Sequence, residues 1–123
     1  MDPLYLVRSL VPIALLFIII DIPWLWVSST YVQEMVKKIQ GGMPMRLRWE
    51  TAPPVYLALA YLLLQTQSTI QTFFVGLATY AVYDFTNLST LTNYTVEFAI
   101  ADSLWGGILF SIVRYVAIRL NLM

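Results

Sequence analysis

From Val11 to Ile20 the chain runs without a single charged or amide side chain, and this stretch limits the fold more than any other. It lies inside a longer apolar segment, Leu4 to Ser28, whose only charges are Arg8 and Asp21. A helix rises about 1.5 Å per residue, so roughly 20 such residues cross a hydrocarbon layer of about 30 Å. A soluble domain could hide one such helix in its core, so composition has to decide. Hydrophobic residues make up 59% and charged residues 11%. Soluble domains carry roughly 45–50% and about 25%. The polar residues are too few to cover a water-facing surface, and the medium expected around this chain is lipid.

The same composition removes many functions. Seven basic residues balance seven acidic ones, and no basic stripe exists for a nucleic acid. Cysteine is absent, which excludes disulfides, thiolate nucleophiles and zinc–thiolate sites. Histidine is absent too, so histidine-ligated haem, histidine–zinc hydrolysis, di-iron centres and serine–histidine hydrolysis have no ligands or base. No cofactor, no metal and no enzymatic activity are expected. The first segment lacks a basic run before its apolar core and a small-residue cleavage pattern after it, so it reads as a retained helix and not a signal peptide.

Four apolar segments follow one another, at about 4–28, 49–65, 70–88 and 95–120. They predict a single all-α domain over residues 1–123, an integral membrane bundle of four transmembrane helices. Pro23 should kink the first helix, and Trp24 and Trp26 suit an interfacial belt. Between helices 1 and 2, Tyr31, Val32, Met35, Val36 and Ile39 recur at helical spacing among Gln33, Glu34, Lys37 and Lys38. That pattern predicts a short amphipathic helix lying along the interface and ending at Gly41-Gly42. Pro53-Pro54 marks the start of helix 2, and Gln65 to Thr69 forms the next turn.

An even number of crossings puts both termini on one side. Lys37, Lys38, Arg46 and Arg48 form an interfacial basic loop on the other side, against Arg8 and Arg119 with the termini. The excess places the 29–48 loop in the cytoplasm. The triplets Asn87-Leu88-Ser89 and Asn93-Tyr94-Thr95 match the glycosylation pattern but fall on that cytoplasmic side, so they are expected to stay unmodified.

Three aspartates fall within the apolar segments, where a carboxylate costs a few kcal/mol. Counting along the expected crossings puts Asp21, Asp84 and Asp102 in the same half of the bilayer. Tyr80, Asp84 and Asn87 share one face of helix 3; Asp102, Trp105 and Gly106 share one face of helix 4. Gly106-Gly107 permits close helix approach. Arg114, twelve residues beyond Asp102, is placed towards the other face. The plain reading of this polar cluster is interhelical hydrogen-bond glue. Sharper readings are a proton or cation path, a pocket for a lipid headgroup, or catalysis; a dedicated magnesium or calcium site lacks a loop of the required spacing.

The stretch Tyr83-Asp84-Phe85-Thr86-Asn87-Leu88-Ser89-Thr90-Leu91, followed by Ala101-Asp102-Ser103-Leu104-Trp105-Gly106, resembles the small membrane proteins catalogued as domain-of-unknown-function family 2177. Its members carry a Tyr-Asp-x-Thr-Asn-Leu-x-Thr-Leu stretch and a later Asp-x-x-Trp-Gly. They also have an aspartate before a tryptophan late in helix 1, echoed by Asp21 to Trp24 with Pro23 inserted. The resemblance spans nearly the whole chain and implies a four-helix membrane protein without an assigned activity. Its members are known from bacteria and from large DNA viruses, which implies a further role as a virion membrane component. The expected function is therefore structural or interaction-based, a scaffold or anchor in the bilayer with a protein partner or a second copy beside it. The alternative is a small transporter or proton or cation conductor using the intramembrane aspartates.

Overall fold

A computed structural model describes residues 3–123. Among them are four α-helices and no strand: α1 (Pro3–Ile39), α2 (Ala52–Leu64), α3 (Thr69–Thr90) and α4 (Val96–Arg119), with a single 3-10 turn at Trp49–Thr51 before α2. The chain is all-α, as its sequence predicts.

The largest departure from expectation is α1, one uninterrupted helix of 37 residues, about 55 Å long. The separate amphipathic helix expected along the interface is instead the last third of α1. Nothing between Ser28 and Ile39 breaks a helix. The Ser28 and Ser29 hydroxyls donate to the Trp24 and Trp26 carbonyls of their own helix, at 2.7 and 3.0 Å, and so do not compete with it. Termination waits for Gly41 and Gly42, both at positive φ, where Gly42 N–H reaches back to the Lys37 carbonyl and Gly41 N–H to that of Lys38. This is a Schellman stop, which glycine adopts without strain. Pro12 and Pro23 both lie inside the helix and neither interrupts it.

Ser68 caps α3 by accepting from Gln71 N–H, and Thr95 caps α4 by accepting from Phe98 N–H. Each satisfies an amide that a helix start leaves bare. Ser68→Ala should therefore lower stability by about 1 kcal/mol, read as a reduced midpoint of thermal unfolding in a fixed detergent. An unchanged midpoint would remove the cap's role.

Two helices, α1 and α4, are long and apolar enough to cross a membrane. With 13 residues, α2 extends only about 20 Å, short of the hydrocarbon thickness.

The core is shared by α1, α2 and α4. Ile13 and Phe17 meet Ala60 and Leu63 from α2 and Leu109, Phe110 and Val113 from α4, all fully buried. Phe17 and Phe110 pack edge to face with centroids 5.0 Å apart. By contrast, α3 docks on α4 through missing side chains. A methyl group at Gly107 would lie 2.7 Å from the Phe73 ring, and one at Gly106 would lie 2.7 Å from the Gly76 carbonyl and collide with Tyr80. Small residues here let two backbones touch, as in membrane helix pairs. At the end remote from the basic loop, Arg114 donates to the Thr66 carbonyl and hydroxyl at 3.2 and 3.3 Å. A cation at the C-terminus of α2 suits the helix dipole.

Candidate functional site

The functional candidates gather where α1 and α4 cross at the level of Asp21. Asp21-Ile22-Pro23-Trp24 and Asp102-Ser103-Leu104-Trp105 share one spacing, and in a helix residues three apart lie on the same face. Because the two helices run antiparallel, the pairs meet head to tail. Trp105 Nε1 donates to Asp21 Oδ1 at 2.8 Å, and Trp24 Nε1 donates to Asp102 Oδ1 at 2.9 Å. The two indoles stack between them, 5.9 Å apart and 21° from parallel. Each helix thus supplies one acceptor and one donor to a reciprocal latch.

Further donors come from the rest of the bundle. Tyr56 of α2 donates its hydroxyl to Asp21 Oδ2 at 2.7 Å. Tyr94, in the loop before α4, donates to Asp84 Oδ1 at 2.6 Å. Burial, and then the bond to Asp84, push the Tyr94 hydroxyl well above the usual tyrosine range, so it remains a donor. Asp84 is completely buried, and its Oδ2 has no partner among the described residues. The only ion pair among the described residues is Arg48–Glu50 at 3.0 Å, on the exposed surface. No lysine or arginine among the described residues pairs with the cluster.

Beside the latch runs a groove of about 570 Å³, walled by the C-terminal half of α1 on one side and α3 on the other, with the first turns of α4 as its floor. Asp21 and Asp102 line one end of it, and Ile39 and Met45 the other. From Asp21 to Ile39 it follows α1 for roughly 27 Å.

The residues singled out in the sequence fall into three groups. Asp21, Asp84, Asp102 and Trp105 are brought together. Tyr80 and Asn87 line the groove, with Tyr80 also against Gly106. Lys37, Lys38, Arg46 and Arg48 are exposed at the far end of α1 and the following loop, outside the groove. Sequence reasoning missed Trp24, placed in an interfacial belt, and also Tyr56 and Tyr94. The repeated Asp-x-x-Trp spacing at 21 and 102 was the available signal for Trp24. No spacing marks the two tyrosines, which reach their carboxyls only through tertiary register.

Against known proteins, the family model described as "Predicted membrane protein (DUF2177)" matches residues 6–119. The chain belongs to this family. That description is of a predicted membrane protein, and the latch, the groove and all three aspartates fall within the matched residues. No curated protein and no solved structure matches the chain.

Proposed function

We propose that this DUF2177 protein is a non-enzymatic scaffold, crossing the bilayer with α1 and α4, that presents its basic end to a protein partner or a second copy. The observation that supports it most is the latch. Neutral indole and phenol donors occupy the carboxyl groups across helices, an arrangement suited to holding helices together. Outward from this fixed centre, the Arg46–Trp49 segment is exposed, with Trp49 at 75%.

A photo-crosslinking residue at Trp49, introduced in cells, should give one discrete adduct in near-stoichiometric yield. Adducts to lipid alone would contradict the scaffold reading.

The proposed orientation keeps the basic loop cytoplasmic and both termini opposite. Lys37, Lys38, Arg46 and Arg48 cluster at one end; Arg8, Arg119 and, by its contact with Thr66, Arg114 occupy the other. The excess of lysine and arginine favours the first end as cytoplasmic. Since the chain has no cysteine, single-cysteine variants report cleanly. Gln67→Cys should react with an impermeant maleimide on intact cells, and Met43→Cys only after lysis. The reverse pattern would invert the orientation.

A second reading, proton or cation conduction, draws on the buried, unpartnered Asp84 Oδ2. It requires that proteoliposomes conduct and that Asp84→Asn and Asp102→Asn abolish the current. A parent protein that never conducts ends it.

A further inference from the structure

The groove is unlike the lipid-facing surface around it. Its walls are mostly apolar, yet two carboxyl groups, Asp21 and Asp102, line one end with the aromatic side chains of Tyr80, Tyr83 and Phe98 along it. No lysine or arginine lines it. Asp84, fully buried and outside the groove's lining, has an Oδ2 without a hydrogen-bond partner among the described residues. The polar contacts made to these carboxyls come from neutral donors, so a cation in the groove would be their only positively charged partner among the described residues. A buried carboxylate is normally paired with a cation.

The chemistry narrows the missing partner. A divalent metal needs about six oxygen ligands, and no three acidic groups converge to hold one among the described residues. An acyl chain would set its methyl end against carboxylates. A phosphate group would meet the same negative charge. An organic ammonium meets the requirements: it carries one positive charge, accepts aromatic rings as partners, and tolerates apolar walls. The volume, about 570 Å³, falls within the range of roughly 300–1,000 Å³ typical of small-molecule sites.

We propose that the groove binds a lipophilic organic ammonium, its cationic head at Asp21 and Asp102 and its apolar body along Leu25 and Phe98. The scaffold reading contributes only the membrane setting. Failure of binding would leave the crosslinking test untouched, and the converse also holds.

The test uses purified full-length protein in uncharged maltoside micelles. The probe is 3-phenylpropyl-trimethylammonium, titrated calorimetrically against its carbon isostere with tert-butyl in place of the ammonium. Saturable one-site binding is expected for the ammonium and none for the isostere. Asp21→Asn and Asp102→Asn, which keep an acceptor for the indoles, should each weaken binding about tenfold. Tyr83→Ala should weaken it too; Tyr83 is exposed and outside the latch, so its loss leaves the helices in place, as circular dichroism will show. Equal binding of the isostere, or Asn variants that bind like the parent, would overturn the proposal. So would displacement of the probe by a phosphoglycerol lipid, which carries no ammonium.

Discussion

Alanine at Gly76 is expected to destabilise the bundle by about 3 kcal/mol, the upper range for forcing atoms into a packed interior. The added methyl group would collide with the Gly106 carbonyl and lie 2.7 Å from Phe110. The first of these is backbone and cannot rotate away. The helices must separate, and α3 then loses the contact that holds it most closely to the rest of the protein. Unfolding by increasing denaturing detergent should show a much lower midpoint for Gly76→Ala, while Gly41→Ala, where an added methyl meets nothing within 4 Å, should change it by only the cost of its left-handed backbone. That cost is about 1 kcal/mol. Equal losses at the two glycines would show that α3 and α4 do not touch at Gly76.

The second large effect belongs to Asp21. Removing its carboxyl with Asp21→Ala strands two donors, the Trp105 indole and the Tyr56 hydroxyl, in a part-buried setting. Each stranded donor costs about 1–3 kcal/mol when truly buried, so a total of about 2 kcal/mol is expected for this half-buried pair. Asp21→Asn retains a carbonyl oxygen for one donor and should lose less than half as much. This ordering, alanine well below asparagine, separates a hydrogen-bonding role from a purely electrostatic one. If charge alone mattered, the two variants would behave alike.

Much of the fold was legible because lipid leaves few alternatives. Unbroken apolar runs and paired prolines mark the helices, and Ser68 and Thr95 stand where α3 and α4 begin. The extent of α1 was not legible. Its amphipathic third resembles a helix lying flat, and only a continuous backbone hydrogen-bond ladder up to Gly41 shows that it stays in line. At the site, the three aspartates stood out because carboxyl groups are costly in an apolar segment. Their partners did not, because tryptophan is equally at home in an interfacial belt, and four of them occur here. Two of the four, Trp26 and Trp49, are 78% and 75% exposed and fit that belt; Trp24 and Trp105 face inward. What distinguishes them is an aspartate three residues earlier, on the same helical face.

That pairing can be observed one indole at a time. In nitrogen-labelled protein the four indole N–H signals are separately resolvable, and their exchange with deuterated water reports whether each is held. Trp24 and Trp105 should exchange slowly, Trp26 and Trp49 fast. Asp21→Asn leaves both slow, while Asp21→Ala should release Trp105 first and Asp102→Ala should release Trp24 first. Four indoles exchanging at one rate, or each alanine freeing the wrong tryptophan, would contradict the reciprocal latch and the antiparallel register of α1 and α4 that rests on it.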